Sequence, residues 1–326
     1  MTFPRIKTIV LAAVLSGVAA DARAQSIGPV WPGGSMAYVL QADAFAGNRA
    51  AAVRKLAACG RDVVVIDLAF DGGPAGAWTK PEFQAIRAGR AGRKVLAYFS
   101  VGEAEDYRGY WKPAWDANHD GRPDAGAPAW LGPANPDWPG NYRVRYWQSA
   151  WQSVILGVLD GLVTNGFDGV YLDVVDAFEY FEYDPVSGNW IDQRVNPETG
   201  RSYRQDMVLW VRAIAARARV KRPAFRVIPQ NGSQLLRYKN FRAAIDGIGI
   251  EDLFTAGNRI QPPAQVDPIL TDLARLRLAG KPVWVIEYGT KAAARTRSIV
   301  QVPAHGFSLL LTDRNLTTLG QAWLPD

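Results

Sequence analysis

Cysteine and histidine are scarce in this chain of 326 residues, which contains one Cys and two His. A single cysteine, Cys59, excludes an internal disulfide. Neither His119 nor His305 ends a predicted strand beside a partner, so Ser–His catalysis and His–metal catalysis are not expected. The nucleophile elbow G-x-S-x-G, the zinc motif H-E-x-x-H, the P-loop and the C-x-x-C motif are also absent. Any chemistry must therefore come from other side chains.

Long apolar runs are missing beyond the start of the chain, so no later segment is predicted to anchor the protein in a membrane. At the start, two basic residues precede an apolar segment from Thr8 to Ala20, and Ala22-Arg23-Ala24 forms an A-x-A cleavage site. We expect residues 1–24 to be a signal peptide and residues 25–326 to form the mature domain. The protein would then be secreted or periplasmic, with no stable membrane anchor after signal removal.

Charge of one sign does not dominate any stretch, although the net charge is +6 and the pI is about 9.4. The basic residues are scattered over predicted helices and match no nucleic-acid motif, so they indicate solvated faces and no nucleic-acid partner. The chain is 48% hydrophobic and 11% aromatic, which is typical of a globular protein with a sizeable core. We expect a monomer.

Strand and helix patterns alternate along the whole mature chain. Short apolar segments such as Lys94–Ser100 and Gly169–Asp173 read as buried parallel strands, and eight of them occur without an intervening linker. This alternation predicts an α/β fold consisting of a single (β/α)₈ TIM barrel. Long loops are expected after the third and fourth strands, at residues 109–142 and 183–202, and the last helix is expected to be reduced.

Acids and polar side chains end most of the predicted strands. The acids are Asp67, Glu103, Asp173, Asp176, Glu251, Glu287 and Asp313, and their polar neighbours are Tyr98, Ser100, Gln230, Asn231 and Tyr288. Glycosidic cleavage needs two carboxyl groups, one protonated and one ionised. Crowding of acids at one barrel mouth would drive their pKa values apart in this way. Carboxylates alone also suit metal sites, and other acids of the chain are expected to cap helices or to face solvent.

Five motifs in strand order resemble those of the endo-α-1,4-polygalactosaminidase family of glycoside hydrolases. They lie at residues 97–108, 130–138, 166–176, 229–231 and 249–251 and read AYFSVGEAEDYR, WLGPANPDW, GFDGVYLDVVD, PQN and GIE. The chain is also distantly similar to the hydrolase domain of the Pel exopolysaccharide system. The resemblance implies a TIM barrel that cleaves amino-sugar polysaccharide.

The resemblance also implies roles for individual residues. Asp173 would be the nucleophile and Glu251 the general acid/base, and barrel glycosidases with acids on these two strands favour retention by analogy. The residues expected to bind substrate are Asp67, Tyr98, Ser100, Glu103, Asp176, Asn231, Tyr288 and Trp138. We expect an acidic mouth on the basic body, since an amine-bearing polymer is cationic.

A D-x-N-x-D-G pattern suggests a calcium loop. Asp116, Asn118, Asp120 and Asp124 occupy the first, third, fifth and ninth positions of such a loop, with Gly121 at the sixth. The twelfth position is alanine, so the usual bidentate glutamate is missing. The alternative is a turn stabilised by Asx hydrogen bonds. No other cofactor is expected to be required.

Six tryptophans cluster between the third and fourth strands. Trp147 and Trp151 are four residues apart on a predicted helix, which favours a place in the core. Trp111, Trp130 and Trp138 could pack in the core or stack on sugar rings.

Two other classes of function stay open at this point. One is a non-catalytic carbohydrate-binding barrel, which the presence of both candidate acids does not favour. The other is a metal-dependent deacetylase or lyase, which lacks a histidine ligand set.

Overall fold

Eight parallel strands carry the fold. In the computed structural model, which describes residues 31–325, they are β1 (Met36–Val39), β2 (Val63–Ile66), β3 (Lys94–Ser100), β4 (Gly169–Asp173), β5 (Arg226–Pro229), β6 (Ile248–Glu251), β7 (Val283–Glu287) and β8 (Ser308–Leu311). Strands β1 to β5 pair in chain order in one sheet, and β6 to β8 pair in chain order in a second. The structure is thus an α/β fold with parallel sheets. The predicted signal peptide lies outside the described residues.

Helices follow most of the strands. They are α1 (Ala42–Ala46), α2 (Arg49–Ala58), α3 (Lys80–Ala88), α4 (Ser149–Asn165), α5 (Phe178–Glu182), α6 (Tyr203–Lys221), α7 (Lys239–Ala244), α8 (Pro263–Arg277) and α9 (Ala292–Ala304). Short 3₁₀ turns lie at Pro74–Gly76, Pro113–Trp115 and Ser233–Arg237. Within residues 31–325, none of these helices has the length and the apolar composition needed to cross a membrane.

Alternate residues of the strands divide the core into two clusters. One cluster collects side chains from four strands, such as Tyr38, Val65, Tyr98 and Tyr171, together with Tyr288, which directly follows β7. The other packs the opposite strand faces against the helices. Side chains two residues apart point to the same face of a strand. The strand-end residues that continue the alternation of the first cluster therefore face the same region of the molecule.

Local capping fixes the helix ends that the sequence predicts. Asn48 accepts the backbone N–H of Ala51 at 2.9 Å at the start of α2, and Thr79 and Glu82 form the predicted capping box of α3. The helix α4 ends at Gly166, which has a φ of 113°. This left-handed ending is the one that glycine adopts without steric cost, and it turns the chain into β4.

The segment after β3 differs from the predicted loop. Two strands, Leu131–Ala134 and Asn141–Val144, lie in and at the end of residues 109–142 and form a three-stranded antiparallel sheet with Glu103–Glu105. After β8 the described chain ends in an antiparallel strand, Gln321–Trp323, and contains no further helix, in keeping with the reduced last helix.

Candidate active site

Asp173 is the last residue of β4 and is partly buried. The Tyr98 hydroxyl donates to its Oδ2 at 2.7 Å, and the backbone N–H of Val174 donates to its Oδ1 at 2.8 Å. Burial raises the pKa of Asp173, while these two hydrogen bonds act to lower it. The strand and Tyr98 therefore hold this carboxylate in one orientation.

Glu251 is the last residue of β6 and receives several donors. The Tyr288 hydroxyl donates to its Oε1, and the amides of Gln230 and Asn231 donate to its Oε2. Burial and then the charge of Asp173 raise the pKa of Glu251 to about 7, against the opposing hydrogen bonds from Tyr288 and Asn231. This carboxyl group is therefore protonated in a substantial fraction of molecules at neutral pH.

Strand register brings the two acids to one face. Pro229 pairs with Leu172, so that the next residue, Gln230, is level with Asp173. Gln230 also forms a parallel bridge with Gly249, two residues before Glu251. Since residues two apart share a face, Asp173, Gln230 and Glu251 point the same way. The influence of the Asp173 charge on the Glu251 pKa agrees with this placement.

Two further acids surround the pair. Glu103 is buried and accepts the Asn135 side-chain amide at 2.8 Å; burial raises its pKa, and the charge of Asp173 raises it further. Burial raises the pKa of Asp176 well above its ordinary value, and the charges of Glu179 and Asp173 add to the effect. The sequence-predicted residues Asp173, Glu251, Glu103 and Asp176 thus form one acidic group in a protein of net charge +6.

Asp67 and Ser100 make structural contacts in place of the predicted sugar contacts. Both carboxylate oxygens of Asp67 accept from the Arg108 guanidinium, at 2.8 and 2.7 Å, and Glu105 binds the same buried cation. The hydroxyl of Ser100 is buried and donates to the backbone carbonyl of Glu103 at 3.0 Å. A buried charge needs such a partner, which explains why Asp67 is held by an arginine 41 residues away.

Glu287 and Asp313, which also end strands, are engaged elsewhere. Glu287 is fully buried and accepts the backbone N–H of Phe254 at 2.7 Å and the hydroxyl of Thr255. Asp313 accepts hydrogen bonds from Thr317 and Thr318. Both acids stabilise a neighbouring loop through these hydrogen bonds, so only some of the acids predicted at the strand ends belong to the candidate site.

The tryptophans after β3 separate into core and surface residues. Trp130 is 3% exposed and its ring centroid lies 4.8 Å from that of Trp151, so the prediction that it could stack on sugars is wrong. Trp111 packs against Tyr142, with ring centroids 4.5 Å apart. Trp138 is 54% exposed. It lies three residues after Asn135, which contacts Glu103, so Trp138 keeps its candidate role at the rim of the site.

The predicted calcium loop is organised by its own hydrogen bonds. Asp116 is buried and accepts the backbone N–H groups of Asp120 and Gly121 and the Tyr142 hydroxyl. The Asn118 amide donates to Asp120, and Asp124 accepts the N–H of residue 117 at 2.7 Å. Among residues 31–325, no group of three or more His, Cys, Asp or Glu side chains is arranged to hold a metal ion. This geometry favours the Asx-turn interpretation, and calcium binding stays a prediction.

Several residues of the site carried no assigned role in the sequence. Gln230 was visible as a polar strand ending, but its bond to Glu251 depends on register. The charges of Arg143 and Arg314 lower the pKa values of Glu103 and Glu251, respectively. Both arginines lie over tyrosine rings, at 3.8 Å from the centroid of Tyr180 for Arg143 and at 4.2 Å from that of Tyr288 for Arg314. Arg143 lies in the strand Asn141–Val144 and Arg314 in the segment after β8, and no local pattern indicates either residue.

Comparisons with known proteins identify the family of the chain. The sequence model of glycoside-hydrolase family GH114 matches residues 19–325. An uncharacterized protein of Deinococcus radiodurans is 36% identical over 259 residues, which cover 79% of this chain and 75% of the relative. An uncharacterized protein of Methanocaldococcus jannaschii is 32% identical over 275 residues, covering 80% of this chain and 73% of the relative.

Solved structures share the fold. Aspergillus fumigatus Ega3, crystallised in complex with galactosamine, is 20% identical with a TM-score of 0.60, and the match covers 91% of this chain and 96% of that one. The glycoside hydrolase domain of PelA from Pseudomonas aeruginosa is 18% identical with a TM-score of 0.56, covering 82% of this chain and 93% of that one.

Proposed function

The chain belongs to glycoside-hydrolase family GH114, and we propose that it cleaves α-linked polysaccharide of the galactosamine and N-acetylgalactosamine type. One observation carries the proposal: two carboxyl groups share a face at the strand ends, and the charge of Asp173 helps to raise the pKa of Glu251 to about 7. Galactosamine in the Ega3 complex supports an amino sugar as the substrate unit. The acidic group around the pair suits a cationic polymer.

In the proposed mechanism the two acids have different roles. Protonated Glu251 donates its proton to the leaving glycosidic oxygen while the Asp173 carboxylate attacks the anomeric carbon, which forms a covalent glycosyl-enzyme. Ionised Glu251 then removes a proton from water, and the resulting attack on the anomeric carbon releases Asp173 with net retention. The raised pKa of Glu251 supports this assignment, because a value of about 7 suits a proton donor near neutral pH.

The surrounding side chains position the pair and receive the sugar. Tyr98 orients the nucleophile, whereas Tyr288, Gln230 and Asn231 orient the proton donor. Glu103 and Asp176 bind sugar hydroxyls or the amine, and Trp138 provides an aromatic face at the rim. Asp67 and Ser100 support the neighbouring segments through their contacts within the protein. The proposed reaction needs no cofactor.

We infer that the two sheets close into one (β/α)₈ barrel. The Gln230–Gly249 bridge joins β5 to β6, and Cα atoms of β1 and β8 approach within 8 Å. Tyrosines of β1, β3 and β4 meet in the inner cluster together with side chains of β7 and β8, which supports a single enclosed core.

We also infer that the protein is exported. Residues 1–24 have the charge, length and A-x-A ending of a signal peptide. Fractionation of the native host, with mass spectrometry of the purified protein, tests this. A first residue at Gln25 in the periplasm or medium is expected, and an intact leader on cytoplasmic protein would contradict export. Size-exclusion chromatography of the same sample tests the expected monomer.

The activity is tested by new reducing ends. Purified wild type is incubated with α-linked galactosamine, N-acetylgalactosamine and galactose polymers beside Asp173→Asn and Glu251→Gln. We expect cleavage of an amino-sugar polymer by wild type and a loss of at least about 100-fold in each variant, since general acid–base catalysis alone contributes about 10²–10⁴-fold. Asp313→Asn is the matched control, because Asp313 lies two residues after β8 but contacts Thr317 and Thr318.

The alternatives have distinct outcomes. Equal activity in wild type and in both variants would reject the assignment of the two acids. Polymer binding without cleavage by wild type would support the non-catalytic carbohydrate-binding barrel. Release of acetate without new reducing ends would support a deacetylase, and new reducing ends accompanied by unsaturated ends would support a lyase.

A further inference from the structure

The segment after α5 presents two exposed aromatic rings on a small hairpin. Tyr183–Asp184 pairs with Asn189–Trp190, and Tyr183 lies opposite Trp190 in the register. The two ring centroids are 5.3 Å apart, and Trp190 is 67% exposed. We call residues 183–190 the aromatic hairpin. Large aromatic surface left in water at a fixed place is typical of a binding site.

The aromatic hairpin is held in place by its neighbours. Asp184 accepts the hydroxyl of Ser187 at 2.7 Å, which closes the turn. Arg194 donates to the backbone carbonyl of Tyr183 at 2.8 Å, and buried Glu182 next to it pairs with Arg204 at 2.7 Å. These contacts fix the base of the hairpin, so that little conformational entropy would be lost when its rings meet a ligand.

The aromatic hairpin belongs to the same face as the candidate active site. Helix α5 starts two residues after Asp176, and Tyr183 follows its last residue. Three non-helical steps and four helical rises span at most about 17 Å, so the Cα atom of Tyr183 lies within that distance of the Cα atom of Asp176. The Tyr238 hydroxyl, in the loop after β5, donates to Gln193 at 3.2 Å and ties the following segment to this face. A polymer bound in the site can therefore extend over the hairpin.

Charge beside the hairpin suits an amino-sugar chain. Arg204 binds two carboxylates, Glu182 at 2.7 Å and Asp192 at 2.5 Å, so the three side chains carry one net negative charge. The carboxylate of Asp192 is largely exposed and lies two residues after Trp190. An apolar ring next to a negative charge matches a sugar that has a hydrophobic face and a protonated amine.

We propose that the aromatic hairpin is a distal subsite, in which Trp190 and Tyr183 stack on sugar rings of the same polysaccharide that is cut between Asp173 and Glu251. This inference rests on the proposed function for the identity of the ligand. An extended polysaccharide would then contact the enzyme at the cleavage site and at the aromatic hairpin, and its affinity would increase with chain length.

The test measures binding in the cleavage-deficient Glu251→Gln protein. Calorimetry uses partly N-acetylated α-1,4-linked galactosamine oligomers of increasing length. It compares the Glu251→Gln protein with the double variant Glu251→Gln/Trp190→Ala. We expect about tenfold weaker binding of long oligomers, which corresponds to about 1.4 kcal/mol, and a smaller loss for oligomers too short to reach the hairpin. Trp190→Phe keeps an aromatic face and should restore most of the affinity. Leu278→Ala, which removes another exposed apolar side chain at the end of α8, is the control and should change nothing.

Each other result contradicts a defined part of the idea. Unchanged binding of long oligomers by Trp190→Ala would refute the subsite, as would an equal loss at every length, which would place the ring in the central cleft. A change of oligomeric state in Trp190→Ala would assign the rings to contacts between copies of the chain. If wild type cuts no polymer but Trp190→Ala still weakens oligomer binding in a length-dependent way, the subsite is supported and hydrolysis is refuted. If the protein binds no oligomer at all, both are refuted.

Discussion

Replacing Glu251 by glutamine should stabilise the fold at alkaline pH while removing activity. The pKa of this group is raised from its ordinary value of 4.5 to about 7 by burial and by the charge of Asp173. The unfolded chain therefore loses the proton near pH 4.5, whereas the folded protein keeps it until about pH 7. Folding stability falls as the pH rises between these values, because the folded state binds the proton more tightly.

The magnitude follows from the two pKa values. Their difference corresponds to about 3 kcal/mol, at about 1.36 kcal/mol for each pH unit. The neutral amide cannot ionise, so Glu251→Gln avoids this cost. The unfolding free energy of the variant should exceed that of wild type by up to about 3 kcal/mol at pH 8, and the difference should fade below pH 4.5.

Urea unfolding of both proteins from pH 4 to pH 8 measures the effect, read as the difference between them at each pH. Asp313→Asn provides a control of opposite sign. Burial alone would raise the pKa of Asp313, but hydrogen bonds from Thr317 and Thr318 hold it below its ordinary value. The ionised form of Asp313 thus stabilises the fold, and its loss should destabilise the protein at pH 8 and matter less at low pH.

Equal stabilities of wild type and Glu251→Gln across the pH range would refute the reasoning. That result would mean that Glu251 ionises in the folded protein as easily as in the unfolded chain. The surroundings of Glu251 would then not make it a proton donor near neutral pH. The assignment of Glu251 as the acid and Asp173 as the nucleophile would have to be reversed or abandoned.

Three other predictions concern the site and its supports. Tyr288→Phe removes a hydrogen bond that lowers the pKa of the proposed proton donor, so the alkaline limb of kcat/KM should move to higher pH; a limb that stays or moves down would contradict this. Gly249→Ala should destabilise the fold by about 1–3 kcal/mol or more in thermal unfolding, because the added Cβ would overlap the buried Tyr171 hydroxyl. Gly157→Ala is the control: it lies in α4 with open space around it and should stabilise the fold by about 0.5–1 kcal/mol. Calcium titrated into the chelator-treated protein should give no heat and no Tm shift, since Asp116 already accepts backbone hydrogen bonds; a Tm that rises with calcium would establish the metal site in the Asp116–Asp124 loop.

The framework of the fold could be predicted from the sequence because its signals are local. The apolar runs Lys94–Ser100 and Gly169–Asp173 are strands with the predicted bounds. Caps at Asn48 and Thr79 fixed helix starts for the same reason. The antiparallel sheet in residues 109–144 could not be predicted, since its strands are short and irregular in pattern and pair with Glu103–Glu105 across a segment rich in turns.

The site was predictable only in part, because the same local pattern has two outcomes. Asp67 directly follows an apolar strand and Asp173 ends one, yet Asp67 pairs with Arg108 whereas Asp173 pairs with no cation among residues 31–325. The difference depends on where a loop residue far along the chain is placed. The resemblance selected Asp173 and Glu251, and the structure adds the register through Gln230 that puts them on one face.

Backbone conformation after the strand ends indicates that the site is maintained at a cost to stability. Val174 and Asp252 directly follow β4 and β6, and Asn231 lies two residues after β5; their left-handed φ values are 57°, 50° and 60°, respectively. For residues other than glycine this conformation costs about 1 kcal/mol or more each, and the β-branched valine suits it least. Gly102 permits the turn at Val174, since a Cβ there would overlap the Val174 carbonyl oxygen. The strained turns and the raised pKa of Glu251 both lower the free energy of unfolding, and both occur at or next to the two acids. This is expected where the surroundings are selected for chemistry and not for stability.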